Sequence, residues 1–322
     1  GGCNFFGRPQ QCGGRSYQTT LWRINREGGE APTVLTPTAG LARFPLLRRG
    51  ALLNLVDVPR RASAGIGPLD SHQAPIVTLT TDFGDVDGYV AEMKGRILSL
   101  CPAACLVDIC HKVPPHDIEV GAYLLARTLP AFPAGSIHLA VIDPGVGSPR
   151  RGLLVRTQEA VLIGPDNGLL SGFFPAAEIR ALDPQRVAAG PPSATFQGRD
   201  LFAPAAARTA AGEDPRNFST AMDDPVRLER TAEGRVLQID WFGNCITSLT
   251  APDLASRGDW VLETERGRIG RFVRTYAQAP PGEPVFLVGS GGYLEIAVRE
   301  ASAARKTGLA RGMWVKLKRK GD

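Results

Sequence analysis

Ile76-Val77-Thr78-Leu79-Thr80-Thr81-Asp82-Phe83-Gly84 and, further along, Ile137-His138-Leu139-Ala140-Val141-Ile142-Asp143-Pro144-Gly145 are short apolar, β-branched runs that each end in a carboxylate and a glycine-bearing turn. Runs of this kind bounded by turn residues read as strands, Ile76–Thr81 and Ile137–Ile142. Between them Asp87–Leu100 has helical spacing (Tyr89, Val90, Met93, Ile97, Leu100), and Ala104–Ile109 is another apolar strand of buried type. Asp117–Leu129 is again helical, with Asp117 placed as N-cap after Pro115. Beyond Asp143 come strands at Leu153–Arg156 and Ala160–Ile163, a short helix at Asn167–Phe174 and an Ala-rich helix at Leu201–Ala211. This alternation predicts an α/β N-terminal domain over residues 75–230, a parallel-type sheet with helices on both faces.

After about Arg230 the pattern changes. Short strands follow at turn-like spacing: Val236–Asp240, Cys245–Leu249, Trp260–Glu263, Ile269–Val273, Pro284–Val288, Leu294–Val298 and Met313–Leu317. They predict a smaller C-terminal β-barrel domain over 231–322, with Met222–Glu233 as linker. Residues 1–74 are unlike both: rich in Gly, Pro and Arg, without Lys and without sustained periodicity. They read as a disordered or non-native extension.

Charge narrows the function classes. Residues 1–74 hold nine Arg against four acidic residues, which accounts for the whole net charge of +5. The body is neutral overall, without the basic excess that nucleic-acid backbones require. No apolar run approaches the ~20 residues of a membrane span. Six cysteines are scattered with no CxxC and no zinc spacing; Cys105 and Cys110 read as buried thiols, and a reducing cytoplasm is expected.

Ligands of open α/β sheets bind beyond the carboxyl ends of the strands. Four strand ends carry polar loops here: 81–87, 110–117, 143–151 and 164–168. In the third, Pro144, Gly145, Gly147 and Pro149 exclude a helix between Asp143 and Arg150, so the loop folds back. Arg150 is then able to hold Asp143 by a charge-assisted contact, either as a structural clamp or as part of a site. Asp200, ahead of the Ala-rich helix, reads as an N-cap. Asp240-Trp241-Phe242-Gly243-Asn244 reads as a tight hairpin, which leaves its two adjacent aromatics unexplained. No GxGxxG opens the first helix and no GxxxxGK[ST] or GxSxG occurs, which disfavours nicotinamide dinucleotides, nucleoside triphosphates and a serine elbow.

Taken in order, TDFG (81–84), DGYV (87–90), DICHKVPPHDIEVGAYLL (108–125), VIDPGVGSPRR (141–151), GPDNGLL (164–170), TFQGRDLFAPAAA (195–207), DWFGN (240–244) and GSGGYLEIAVREAS (289–302) resemble the S-adenosyl-L-methionine (SAM) hydroxide adenosyltransferases, the adenosine-forming SAM hydrolases related to fluorinase and chlorinase. The resemblance spans 75–322. It implies hydrolysis of SAM to adenosine and methionine, no metal or other cofactor, and a homotrimer with SAM between the N-terminal domain of one subunit and the C-terminal domain of the next. It implies that Asp82 binds the ribose hydroxyls and that Asp87, Asp240 and Ser290 hold the methionine end. Phe196, Phe242 and Tyr276 would wall the sugar and adenine, and Asn244 and the backbone near Glu300 would read the adenine edge. Asp143 and Arg150 match two members of the family's Asp-Arg-His water-activating triad. The third position is Gln197, which hydrogen-bonds but takes no proton near neutral pH. The related halogenases carry Tyr where this chain has Asp143, which favours hydroxide over halide. The competing readings are a halogenase of the same fold and a non-catalytic SAM or adenosine-binding protein.

Overall fold

A computed structural model describes residues 74–320 except 176, 189, 191, 230–232 and 255–258. The expected extension over 1–74 thus lies, Ala74 apart, outside the described residues.

The strand–helix alternation forms, except that the short helix expected over Asn167–Phe174 is a single 3₁₀ turn at Ser171–Phe173. β1 (Ile76–Thr81), α1 (Tyr89–Leu100), β2 (Cys105–Cys110), α2 (Ile118–Thr128), β3 (Ser136–Val141), β4 (Gly152–Arg156) and β5 (Ala160–Pro165) follow one another. Then come β6 (Glu178–Leu182), α3 (Pro184–Val187), α4 (Ala203–Ala210) and β7 (Ser219–Ala221). The strands make one sheet in the order β2-β1-β3-β5-β4-β6-β7. Only β2, β1, β3 and β5 are mutually parallel; β4, β6 and β7 extend the sheet antiparallel. The short Thr157–Glu159 turn between β4 and β5 forces this, since parallel neighbours need a crossover connection.

Helices cover both faces. Val77, Leu79, Ile137, Leu139 and Val141 point toward α1 (Met93, Ile97) and the alanines of α4. Ala140, Ile142, Leu153, Val155 and Leu162 point the other way, toward Val120, Tyr123 and Leu125 of α2. Burial on both faces is why β1 and β3 read as continuous apolar runs rather than alternating ones. β2 is the exception: it is an edge strand, so Cys105 is exposed and Cys110 half-buried, against the expectation of buried thiols.

The remaining strands, β8 (Gly234–Ile239), β9 (Cys245–Thr250), β10 (Trp260–Thr264), β11 (Gly267–Ile269), β12 (Pro284–Val288), β13 (Tyr293–Val298) and β14 (Trp314–Arg319), are all antiparallel, with α5 (Ala303–Thr307) before the last. Their order is β11-β10-β14-β8-β9-β13-β12. The chain just beyond β11 then bonds back to β12, through Phe286 N–H to Arg271 O at 2.9 Å and Val273 N–H to Phe286 O at 3.0 Å. The sheet therefore curls nearly into a barrel around Val236, Leu262, Phe286, Leu294, Ile296 and Val315. Among the described residues no helix is long and apolar enough to cross a membrane.

Asp117 ties the two sheets together. Its carboxylate caps α2 by accepting Val120 N–H at 3.1 Å, and it also pairs with Arg235 of β8 (2.7 Å) and with Arg311 (2.9 Å). Glu119 takes a second bond from Arg235. Asp117→Ala removes a helix cap and leaves two guanidiniums short of an acceptor. It is expected to lower stability by about 2 kcal/mol, read as a drop in the unfolding midpoint.

Candidate active site

Thr81 of β1 pairs with Val141 of β3, so Asp82 and Asp143 leave adjacent strand tips, in strands ~4.8 Å apart. Each is held by a different device. Asp82 Oδ2 accepts His116 N–H at 2.9 Å, and His116 adopts φ 67° to reach it. The loops after β1 and β2 are stitched further by Gly84 N–H to His111 O at 2.7 Å and by the Lys112–Asp85 ion pair at 2.7 Å.

The loop after β3 folds back as its glycines and prolines predict. Gly147 has φ 80°, and a Cβ there would stand 2.8 Å from Ala194 O, so the loop lies directly on the 192–197 segment. The fold-back brings Arg150 Nε to Asp143 Oδ1 at 2.9 Å and Nη2 to Oδ2, a two-pronged ion pair. Both side chains are enclosed, at 9% and 5% exposure for Arg150 and Asp143. Arg150 Nη2 also donates to Gln197 Oε1 at 2.6 Å, and the guanidinium lies 5.1 Å from the centre of the Phe202 ring. A guanidinium only donates, so the amide oxygen must face it and the Gln197 NH2 points elsewhere. Asp143, Arg150 and Gln197 thus form one connected unit.

Gln197 is positioned by an irregular helix start. Gly198–Phe202 is a π-turn, closed by Ala203 N–H to Gly198 O, and it runs straight into α4. Pro204 has no N–H to offer the Asp200 carbonyl, so a regular α-register cannot begin here. Asp200 is therefore inside the turn and is not the N-cap expected from sequence. It pairs with Arg199 at 2.7 Å and accepts Ser193 N–H at 2.9 Å; the bond from Arg199 holds its carboxyl below the ordinary range. Arg199 also stacks over Phe196, 5.1 Å from the ring centre. Phe196 meets Phe83 and Tyr89 edge-on at 5.9 and 5.2 Å, which makes an aromatic wall beside Asp82. Asp87 is exposed on the same loop.

A second group of predicted residues gathers on the barrel. Asp240 and Asn244 close the β8–β9 hairpin: Asp240 accepts Asn244 N–H at 2.8 Å and Asn244 Nδ2–H at 2.9 Å. Gly243, at φ 87°, sits against Ser302, where a Cβ would come within 2.2 Å of Oγ. That contact lays the hairpin close to Glu300, which adopts a φ of 60°. The tip is apolar and bare, with Trp241 at 97% and Phe242 at 78% exposure. Ser290 is exposed on the turn after β12, and the Tyr276 hydroxyl donates to Glu295 Oε2 at 2.5 Å. Among the described residues, no hydrogen bond or ion pair joins this group to Asp82, Asp143, Arg150, Phe196 or Gln197. No group of three or more His, Cys, Asp or Glu side chains among the described residues is arranged to hold a metal ion.

The family model of the SAM hydroxide adenosyltransferase N-terminal domain matches residues 77–219, and that of the C-terminal domain matches 234–316. The chain belongs to the SAM hydroxide adenosyltransferase family. A Thermus thermophilus protein named (R)-S-adenosyl-L-methionine hydrolase is 38% identical over 257 residues, covering 75% of this chain and 98% of that protein. A fluorinase of Actinopolyspora mzabensis is more distant, 29% identical over 299 residues, covering 78% and 99%. In structure, an uncharacterised conserved protein of Thermotoga maritima superposes with a TM-score of 0.68 at 28% identity, over 76% of this chain and all of that one.

Three parts of this family member were not visible in sequence. His111 Nδ1 lies 2.8 Å from Thr81 Oγ1 and braces the Asp82 loop from below. Arg199 pins the Phe196 wall through contacts that a lone Arg-Asp pair does not announce. Glu295 reads as an ordinary polar strand residue, yet it is buried on β13 beneath Tyr276. A charged residue inside an apolar strand (Leu294, Ile296) is the one signal that marks it.

Proposed function

We propose that this chain hydrolyses SAM to adenosine and L-methionine by in-line attack of water on the 5′ carbon, with no metal or cofactor. The observation that carries this reading is the enclosed Asp143–Arg150–Gln197 unit at the tip of β3, beside Asp82. Arg150 occupies one lone-pair direction on each Asp143 oxygen, which leaves the others for water. One water held there points its oxygen at the carbon that bears the sulfonium; neutral methionine sulfur departs with the C–S bonding pair as the C–O bond forms, and the water gives up one proton to the Asp143 carboxylate and from there to solvent. A cation and a developing anion merge along this path, so a dry site favours it.

In this reading Asp82 binds the ribose hydroxyls, and Asp87, Asp240 and Ser290 hold the methionine end. Phe196, Phe242 and Tyr276 wall the nucleoside, while Asn244 and the backbone near Glu300 meet the adenine edge. The two groups of residues then face each other across subunits of a homotrimer, in which the bare Trp241–Phe242 tip is covered by the next protomer. A cytoplasmic setting fits a SAM-consuming reaction. The relatives named for the (R) epimer at sulfur lead us to assign the same epimer here.

The test is incubation of the full chain with each sulfonium epimer, following adenosine and methionine, with and without chloride or fluoride. Adenosine from the (R) epimer without halide is expected. A halogenated nucleoside would select the halogenase reading, and binding without any product would select the non-catalytic one. Gln197→His is expected to raise turnover several-fold, because imidazole accepts a proton where the amide cannot. The gain should disappear as the pH falls and the imidazole is protonated. An unchanged rate would remove Gln197 from the unit.

A further inference from the structure

Glu295 is a buried carboxylate for which the reaction above has no use. Its residue is 6% exposed, and Oε2 accepts the Tyr276 hydroxyl at 2.5 Å. Oε1 lies hard against the turn that carries Ser290, since a Cβ on Gly289 would stand 1.7 Å from it. No Lys, Arg or His among the described residues forms an ion pair with it. Among the described residues its side chain has one hydrogen-bond partner, a phenol whose own proton is held more tightly than usual by burial and by this carboxylate. Arg127 of α2 gives its bond to Tyr123 OH at 2.8 Å and passes the same turn, close to Gly291. Arg127 feels both Glu295 and Asp240, so one cation stands among two carboxylates. A buried carboxylate without a partner cation is costly unless something positive completes the site.

We propose that Glu295 is a specificity-determining residue that selects the cationic sulfonium substrate over its products, acting through Tyr276 and the Ser290 turn. The inference rests on the proposed SAM hydrolysis. SAM carries a sulfonium, an ammonium and a carboxylate, for a net charge of +1; adenosine and zwitterionic methionine carry none. The unbalanced negative charge beneath the turn therefore favours substrate over both products. It acts on the ground state, and the cationic charge is lost on the way to the transition state. Removing the Glu295 charge should therefore raise KM and kcat together and leave kcat/KM little changed.

The experiment compares the full chain with Glu295→Gln, which keeps an acceptor for Tyr276 and removes the charge. Calorimetric affinities are measured for SAM, for S-adenosyl-L-homocysteine (the thioether that lacks the S-methyl group and with it the sulfonium charge) and for adenosine. Glu295→Gln is expected to weaken SAM roughly tenfold, with the two ligands that lack the sulfonium charge within about twofold of the parent, kcat raised by up to the same factor and kcat/KM little changed. Equal weakening of all three ligands, or an unchanged SAM to S-adenosyl-L-homocysteine ratio, would overturn the proposal. Glu295→Asp, which restores the charge, should recover most of the discrimination, and its failure to do so would also count against it. The binding ratios do not need turnover, so a chain that discriminates by charge yet forms no adenosine would refute the hydrolase reading alone.

Discussion

Asp143→Ala is expected to lower adenosine formation by about 10²–10⁴-fold while SAM affinity stays within about threefold. The split follows from where Asp143 sits. Its carboxylate is at the tip of β3, enclosed, and both oxygens face Arg150 rather than the residues assigned to the nucleoside or the methionine. Removing it takes away the group that orients water and leaves Asp82, Phe196 and the barrel residues untouched. The loop should survive the change, because Arg150 keeps two further acceptors, Gln197 Oε1 at 2.6 Å and Arg151 O at 3.3 Å. Single-turnover rates and calorimetric SAM binding on the same preparation decide the matter. Parallel loss of both would make Asp143 a binding residue and would remove the basis for assigning it to water.

Arg150→Met is expected to be the most damaging single change to stability at the site, about 3–5 kcal/mol. Methionine fills much of the same volume but leaves the Asp143 carboxylate enclosed without its cation, and the Gln197 oxygen without its donor. The cost comes from stranding a charge, so it should be largely relieved by removing that charge as well. Asp143→Ala combined with Arg150→Met is expected to be more stable than Arg150→Met alone, as read by denaturant unfolding of the four chains in a double-mutant cycle. Additive losses would mean that the pair is not the enclosed ion pair described here. Turnover should fall at least as far as in Asp143→Ala in every chain lacking Arg150, since the proposed water activation needs the carboxylate in the geometry that Arg150 imposes.

Much of this architecture could be read from local pattern. The runs at 76–81 and 137–142 announce strands buried on both faces, and Asp117 announces a helix start that the structure places one residue before α2. The four polar strand-end loops mark the edge of the sheet where Asp82 and Asp143 stand on adjacent strand tips. Other features had no local trace. Glu178–Leu182 and Ser219–Ala221 are too short and too polar to stand out as strands until β4 offers them an edge. The edge position of β2 is a property of strand order, and strand order leaves no mark in a six-residue window.

The chain's own residues determined the elements, the fold-back of the 143–150 loop and the chemical types available at each strand end, because glycine, proline and hydrophobic period act through neighbours along the backbone. Only the tertiary structure decided which of those groups meet. Arg150 reaches Gln197 across 47 positions and Tyr276 reaches Glu295 across 19, and in each case burial makes the pairing obligatory. Asp200, a presumed cap, is instead an ion-pair partner of Arg199, since a helix register broken at Pro204 moves the start of α4 past it. Pairing of enclosed polar groups is a demand of the low-dielectric interior, and it is met by whatever the fold brings within reach.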